Sequence, residues 1–426
     1  MSRTPYASLI LCLLFALRPA CILAQDIVAT SAESPVDTQA RELERIRQMI
    51  RSLGPKASTP AQLVQLARDL PPTAAAGLFL QVAEDFVQSG NWDLAADVLL
   101  QLLEQYSDEP SATDATLLLV RMYSSSEVSH TQRKPLDVAR QLRLPPGWHE
   151  KQSSTDDSSA ESGTPIYALY LANGRLQQHP ELAENSALAF QCAVAARRCG
   201  RMQENKAWLA LLKHKRDPEQ WRLRALAEEW LAESRAKQSP VSVAHCQPAN
   251  QPPHLDGDLD EPLWQNSTPF NPHSEIQNPK AEIFLAYDAE FCYLAARCQK
   301  IPGTDYSPDD RPRSYDADLS GQDQVRLWLD VDRDFATWFQ LVIDHRGWTG
   351  DRCWMDASWN PKWFVAAGSD EGTWTAEAAI PWSELVAQPP RSGDVWACGA
   401  ERIPPNGRTD MSTDAPPAEF RLLFFE

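Results

Sequence analysis

The stretch AEIFLAYDAEFCYLAARC, residues 281–298, decides the fold class of the second half of the chain. Apolar side chains alternate with small or polar ones on both sides of the break Asp288-Ala289-Glu290, a pattern typical of two antiparallel strands joined by a short turn. Similar runs follow: QVRLWLDVD (324–332), WFQLVID (338–344), KWFVAAGSDEGTWTAEAAI (362–380), VWACGAERI (395–403) and EFRLLFF (419–425). Many short strands at this spacing predict an antiparallel β-sandwich.

Upstream of residue 239, apolar residues recur at intervals of three and four, which predicts helices. Ser89-Gly90-Asn91 interrupts this pattern and predicts a turn between two antiparallel helices. A second helical pair is expected after residue 166, with its turn at Gly200. The first pair resembles a tetratricopeptide repeat, because small, aromatic, turn, small and bulky positions of that repeat are occupied by Ala83, Phe86, Gly90, Ala95 and Leu99.

The N-terminus has the form of a secretory signal peptide. Arg3 precedes an apolar run over 9–17, and small residues end at Ala24, where cleavage is expected. The sequence therefore predicts an exported protein, either periplasmic or extracellular, with no later membrane span. The predicted segments are a signal peptide (1–24), a flexible leader (25–41), a helical repeat region (42–149), a disordered linker (150–165), a second helical region (166–238) and the sandwich (241–426).

The formal net charge of −18 is concentrated in the second half. Residues 241–426 contain 30 Asp and Glu against 14 Lys and Arg, a balance of −16 that leaves −2 for the rest of the chain. A field of this sign repels phosphate backbones, so the sequence argues against nucleic acid as a partner.

Ordered motifs in the last 180 or so residues resemble carbohydrate-binding modules of family 9. They are LDGDLDEPLW (255–264), AYD (286–288), DQVRLWLDVDRD (323–334), WTAEAAIPWSEL (374–385) and GDVW (393–396) with Arg402. The resemblance implies a two-sheet, immunoglobulin-like sandwich that binds a saccharide between aromatic rings. The chain departs from the sugar-binding members, since Ser320 stands where they have a tryptophan and Arg326 where they have a sugar-contacting carboxylate.

Strand parity predicts a carbohydrate-binding face. In the run 324–332, Arg326 and Trp328 lie opposite the apolar face, and in the run 338–344 Trp338 and Gln340 do so. Indoles beside planar hydrogen-bonding groups suit a sugar, which offers C–H faces and hydroxyls. Trp359 lies in a loop and is predicted to close the other side of the sugar. The alternative is that the loop 301–321 or the helical region covers this face.

Strand parity and local sequence divide the other tryptophans into predicted core residues and predicted exposed residues. Trp363 and Trp374 share a face with apolar neighbours and are predicted to be core, whereas Trp348 lies in a turn and is expected to be exposed. Trp354 stays ambiguous. Seven cysteines remain after the predicted cleavage, and Cys292 and Cys298 are interpreted as buried thiols on a strand.

No catalytic constellation is singled out. The sequence contains no GxSxG, HExxH or phosphate loop, and no pair of carboxylates stands out as a glycosidase pair. We therefore expect no enzymatic activity and no cofactor. A calcium ion at the acidic turn 330–334 is left open, although position six is Phe335 where an EF-hand needs Gly; solvated turn acids are the favoured interpretation.

The sequence thus favours a non-catalytic carbohydrate-binding protein, accessory to polysaccharide breakdown, whose helical repeats contact a protein partner. Three alternatives remain open at this point. One is a scaffold with a purely structural sandwich. Another is a haem-binding sandwich with His345 and either Met355 or Met411 as axial ligands. The third is an unrecognised glycoside hydrolase.

Overall fold

The computed structural model describes residues 35–132, 164–214, 219–233, 238–271, 273–274, 280–307, 317–405 and 420–426. The chain divides into two compact units, 1–44 and 45–426. The predicted signal peptide lies outside the described residues, as do residues 25–34 of the predicted leader and nearly all of the predicted linker.

The first part of the described chain is helical. Its helices are α1 (Pro35–Leu53), α2 (Thr59–Leu66), α3 (Pro72–Gln88), α4 (Trp92–Gln105), α5 (Pro110–Ser124), α6 (Ser126–Thr131), α7 (Thr164–Gln178), α8 (Ser186–Arg198), α9 (Met202–Lys213) and α10 (Glu219–Ala232). Two short helices, α11 (Pro262–Asn266) and α12 (Trp382–Leu385), lie among the strands. Helix α1 starts inside the segment predicted to be a flexible leader, so that boundary is wrong for residues 35–41.

Both predicted helical pairs are present. Gly90 lies in the turn between α3 and α4, and Gly200 lies in the turn between α8 and α9, each with a φ of +70°. Glycine adopts this left-handed conformation without the steric penalty of a Cβ atom. The helices of each pair pack along each other. Assignment of the helices to the tetratricopeptide family stays a prediction.

The second part forms one large curled sheet. Its eleven described strands are β1 (Val243–Pro248), β2 (His273–Ser274), β3 (Ala281–Tyr287), β4 (Phe291–Gln299), β5 (Gln324–Asp330), β6 (Phe339–Asp344), β7 (Thr349–Cys353), β8 (Phe364–Ser369), β9 (Thr373–Pro381), β10 (Val395–Ile403) and β11 (Arg421–Phe425). The strand order is β7-β6-β5-β10-β11-β1-β3-β4-β9-β8, with β2 paired to β10.

The sheet is mixed, so the expectation of a purely antiparallel sandwich is wrong. Strand β1 pairs in parallel with both β11 and β3, and β2 pairs in parallel with β10. The hairpin predicted at 281–298 is confirmed as β3 and β4, which pair antiparallel from Ala281–Cys298 to Tyr287–Cys292. Strand β1 joins the two halves of the sheet. It pairs with β11, the last described strand in the sequence, along one edge and with β3, an early strand, along the other.

The core lies between the two halves of the curled sheet. It contains inward side chains of β3, β4 and β9, such as Leu285 and Leu294, together with Leu327 of β5 and Leu341 of β6. Trp363 and Trp374 belong to this core, as their parity predicts, and the thiols of Cys292 and Cys298 are buried there. Burial of apolar surface of this extent is the main favourable term in folding.

Both outer faces of the sheet are also covered. On the β3–β4–β9 side, helix α11 places Trp264 against Phe284 in a smaller apolar cluster. On the β5–β10–β11 side the helical part packs against the sheet, where Phe190 of α8 contacts Phe335 and Trp230 of α10 contacts Phe424. The helices are therefore a second layer of the same unit.

Among the described helices, none combines the length and the apolar character that crossing a bilayer requires.

Candidate functional site

The predicted carbohydrate-binding face is buried. Trp328 and Gln340 lie opposite each other on β5 and β6, as parity predicts, with Arg326 on the same strand face and Trp338 just before β6. Their exposed fractions are only 2–5 %. Trp338 packs on Phe420, its ring centroid 6.2 Å away. The expectation that this face is open is therefore wrong, because the helical layer and the segment at Phe420 cover it. A carbohydrate contact at these four residues stays a prediction.

The fifth predicted residue, Trp359, lines an open, polar cleft of about 930 Å³ between the helical part and the sheet. The cleft's helical wall is the α3–α4 turn, the first turns of α4 and the end of α6. Its sheet wall is the segment after β7 and the start of α12. The lining residues are Ala57, Ser89, Gly90, Asn91, Trp92, Asp93, Leu94, Asp97, His130, Thr131, Gln132, Asp356, Ser358, Trp359, Asn360, Ser383 and Glu384.

Close backbone approach fixes the two walls relative to each other. The Ala357 amide donates to the carbonyl of Gln88 over 3.2 Å, where α3 ends. At Gly90 a Cβ atom would lie 2.6 Å from Ser358 Oγ and 3.0 Å from Asp356 Oδ2. The turn therefore requires glycine here for space as well as for its positive φ.

Trp92 and Asp356 line the cleft, and a second indole, that of Trp354, packs against Trp92. Trp92, the first residue of α4, stacks on Trp354 with ring centroids 6.2 Å apart and planes 17° apart. Trp92 also hydrogen-bonds the carboxylate of Asp356, which accepts from the amide and the hydroxyl of Ser358 at 2.8 and 2.7 Å. Burial raises the pKa of Asp356, and the hydrogen bonds from Ser358 and Trp92 oppose that rise. The sequence left Trp354 ambiguous; in the structure it is buried.

The remaining sheet wall holds Trp359 with one side of its ring against the core. Its ring packs on Phe339 with centroids 4.7 Å apart, and its side chain is only partly buried. At the other end of the cleft, the Nε2 of His130 lies 3.0 Å from the carbonyl oxygen of Ser383. The cleft therefore presents one partly exposed indole within a rim of hydroxyl, amide and carboxylate groups.

The charge of the cleft has one predominant sign. Among the described lining residues are four carboxylates, those of Asp93, Asp97, Asp356 and Glu384, and one imidazole, that of His130. No lysine or arginine is among the described residues that line the cavity. The site accordingly disfavours anions and accommodates neutral or cationic groups.

Sequence reasoning missed the helical wall. Asn91 belongs to a helix–helix turn, and Trp92 and Asp93 begin the helix that follows. Periodicity along the sequence identifies such residues only as an ordinary helix start. The signal that identifies them is three-dimensional, since α4 meets the segment after β7 only once the helices dock on the sheet. Positive φ at Trp354, +51°, marks that segment as constrained, a conformation uncommon for a bulky side chain.

The alternative of a haem bound by His345 and Met355 is not supported by the geometry. His345 directly follows β6, at the tip of the β6–β7 hairpin, and Met355 follows β7 at the opposite end. The five residues of β7 separate the two positions by roughly 16 Å, too far for both to ligate one iron. Met411 lies outside the described residues.

Solved structures similar to this chain include a family 9 carbohydrate-binding module from Caldicellulosiruptor kristjanssonii in complex with cellotriose. The identity is 14 %, the match covers 43 % of this chain and 94 % of that chain, and the TM-score is 0.32. A glucose complex of such a module from the same organism is 13 % identical, covers 43 % of this chain and 96 % of that chain, and gives the same TM-score. At these values the likeness carries no argument about function. No family model matches the chain, and no curated protein does.

Proposed function

We propose that this chain is a non-catalytic carbohydrate-binding protein whose ligand occupies the polar cleft. One observation carries the proposal: Trp359 presents a partly exposed indole in a cavity of about 930 Å³ whose rim consists of hydroxyl, amide and carboxylate groups. A sugar ring stacks its C–H face on an indole, and its hydroxyls both donate to carboxylates and accept from amides. The motifs of residues 255–402 that resemble family 9 modules support the same class of ligand.

The charge of the cleft limits the class of carbohydrate that can bind. Carboxylates at Asp93, Asp97 and Glu384 repel uronic acids and sulfated sugars, and the described lining residues include no lysine or arginine to compensate. Neutral oligosaccharides and amino sugars fit this potential. We therefore expect glucans, xylans or chitosan-type chains to bind, and polygalacturonate not to.

The cleft differs from the face expected from strand parity because it lies where two parts of the chain meet. Its helical wall and its sheet wall are both needed, so binding depends on the whole unit 45–426. Export, a role beside enzymes of polysaccharide breakdown, and protein contacts through the helices belong to the proposal as well. Export is supported by the apolar run 9–17 and the small residues up to Ala24.

Calorimetric titration of the full chain with neutral, amino and acidic oligosaccharides tests the proposal. Trp359→Ala should weaken the best ligand by roughly 1–3 kcal/mol, or about ten- to a hundredfold in Kd. Trp348→Ala is the matched control, because Trp348 is also a partly exposed indole of the sheet and does not line the cleft. Equal affinity of Trp359→Ala and wild type would show that the cleft is not the site.

Hydrolysis is a second candidate, since the cleft carries several carboxylates and a glycosidase needs two. Chromatography of each bound oligosaccharide after prolonged incubation distinguishes the two functions. If wild type produces shortened oligosaccharides and both Asp97→Asn and Glu384→Gln fail to, the protein is a glycosidase and not only a binding protein. Unchanged oligosaccharides would support binding alone.

A further inference from the structure

The acidic turn after β5 is buried against the helical layer, which contradicts the interpretation that its acids are solvated. Asp330 and Asp334 have no exposed surface, and Asp332 is 8 % exposed. The fully buried Glu127 of α6 reaches this turn, and its Oε1 accepts from the amide of Val331 at 2.7 Å. A carboxylate from the helical part thus joins the carboxylates of the sheet part.

Three of these groups converge. One carboxylate oxygen each from Glu127, Asp330 and Asp332 lies within 4.8 Å of the other two. Two oxygens bound to one calcium ion at about 2.4 Å can be separated by at most about 4.8 Å, so this spacing fits a shared ion. Like charges this close in a buried site repel strongly unless protons or a cation neutralise them.

Backbone and hydroxyl donors hold the three carboxylates in place. Asp330 accepts from the amides of Asp334 and Phe335 at 3.2 and 2.7 Å. Glu127 Oε2 accepts from the hydroxyls of Ser125 and Thr337. A carboxylate oxygen that accepts one such bond keeps a second lone pair for an ion.

Two buried acceptor oxygens at this junction have no partner in the described part of the chain. Asp332 Oδ1 is one, although its Oδ2 accepts from the Ser126 amide at 2.7 Å and lies 3.3 Å from Arg198 Nη1. The Oε1 of Gln191 is the other; the amide nitrogen of the same fully buried side chain donates to the carbonyl of Asp334 at 2.9 Å. Buried acceptors without partners are costly, and both orphans are oxygens, the ligands that hard cations prefer.

From these contacts we infer a divalent-cation site, of the calcium type, formed by Glu127, Asp330 and Asp332 at the junction of α6 with the turn after β5. In addition to Arg198, which lies 3.3 Å from Asp332 Oδ2, the ion supplies positive charge to the three convergent carboxylates. All three ligands are carboxylates, without sulfur or imidazole, which favours calcium over zinc or copper. Because Glu127 comes from the helical layer, the ion ties that layer to the sheet.

Protonation is the competing explanation for the convergence. Burial, and then the neighbouring acids, raises the pKa of Glu127 and of Asp330 well above their usual range. A protonated site needs no ion to relieve the repulsion, and an ion binds there only by displacing the protons. The two accounts therefore differ in whether the chain, freed of metal, binds calcium at neutral pH.

The experiment uses the full chain, treated with EDTA and exchanged into metal-free buffer at pH 7. Calorimetric titration with CaCl₂ should show binding by wild type, and calcium should raise its Tm. Glu127→Gln and Asp332→Asn each remove a charged ligand and should weaken binding about tenfold or more. Glu377→Gln is the matched control, since Glu377 is a buried carboxylate of β9 outside the cluster, and it should bind calcium like wild type.

Absence of calcium, magnesium and manganese binding by the wild type would overturn the inference. Wild-type affinity in both Glu127→Gln and Asp332→Asn would also overturn it, because the ion would then lie elsewhere. If either variant fails to fold, the anomalous signal of wild-type crystals soaked in MnCl₂ decides the matter. A peak between Glu127 and Asp332 supports the site, and a peak elsewhere or none rejects it.

Discussion

Trp92 and Trp354 stack with their ring centroids 6.2 Å apart, so that the first residue of α4 rests on the turn that follows β7. The contact joins a helix of the N-terminal part to the sheet of the C-terminal part. Both indoles are nearly fully buried, Trp92 at 5 % and Trp354 at 3 % exposure. Neither ring would be covered in this way if its part of the chain stood alone.

We expect the two parts to be unstable when separated, although the change of periodicity near residue 240 predicts two independent cores. Expressed alone, 241–426 would lose the helical rings that pack on Trp354, Phe335 and Phe424 and would expose those side chains. Contiguous apolar exposure of this kind promotes aggregation and dye binding. Thermal melts and ANS fluorescence of 45–238, 241–426 and the intact chain provide the measurement. A cooperative melt of 241–426 at the Tm of the intact chain would contradict this expectation.

Gly90→Ala should be more destabilising than Gly200→Ala. Both glycines have a φ of +70° at equivalent helix–helix turns, so both substitutions incur roughly 1–2 kcal/mol for the left-handed conformation. The Cβ atom at position 90 would also meet Ser358 Oγ at 2.6 Å, whereas nothing lies within 4 Å at position 200. Denaturant unfolding of the two variants isolates the contact with the sheet. Equal losses in the two variants would mean that the α3–α4 turn is not held against Ser358 in solution.

Trp338→Ala should reduce stability, while Trp359→Ala should mainly reduce carbohydrate affinity. Trp338 is 2 % exposed and packs on Phe420, so its removal leaves a cavity that costs roughly 3–5 kcal/mol. Part of the Trp359 ring is exposed in the cleft, so Trp359→Ala should lose less stability than Trp338→Ala. Denaturation midpoints and binding isotherms of both variants separate the two roles. A stable Trp338→Ala protein with impaired sugar binding would restore the face that strand parity predicts.

Ionisation of Glu377 should make the protein less stable at pH 8 than at pH 5. Burial raises its pKa to about 7, although its carboxylate accepts from Trp264 Nε1 at 2.7 Å and from the Gly257 amide at 3.0 Å. A carboxyl whose pKa is raised by folding favours the folded state below its unfolded pKa, near 4.5. That contribution is lost as the pH rises through about 7.

The comparison for this prediction is Glu377→Gln, which does not titrate. Its Tm should fall less between pH 5 and pH 8 than the Tm of wild type. Other acids with raised pKa values, such as Asp334 at about 7, remain in both proteins and cancel in the difference. Parallel pH profiles would show that Glu377 is ionised in the folded protein throughout this range.

Local patterns in the sequence predicted the elements well where one face of a strand is apolar. The alternation over 281–298 gave β3 and β4, and parity placed Trp328 beside Gln340 across neighbouring strands. Parity cannot report exposure, because the cover on that face comes from residues far away in the sequence. Parallel pairing of β1 was missed for a similar reason, since a strand's side-chain pattern does not record the direction of its neighbours.

The candidate site was predicted in part. The sequence predicts Trp359 in a loop, because Asn360-Pro361 follows it, and in the structure it lines the cleft. Its neighbours Trp92 and Asp93 begin a helix in a region that the sequence assigned to protein contacts. Charged turns are usually solvated, which is why the sequence favours solvated acids at 330–334, whereas in the structure Glu127 approaches them from α6. The periodicity of a single segment cannot predict a site that forms between two layers, because it does not show which segments meet.

The position of β11 in the middle of the strand order has a consequence for biosynthesis. Strand β1, at 243–248, is made early, yet it joins the β10 side of the sheet only through Arg421–Phe425. Until that late segment leaves the ribosome, no backbone pairing among the described strands connects the half with β5, β6 and β7 to the half with β3, β4 and β9. Pairing over so long a separation is slow, because the entropy of closing the loop is lost before the contacts form. The nascent chain therefore spends its synthesis without a finished sheet, the state in which chaperones engage unpaired strands.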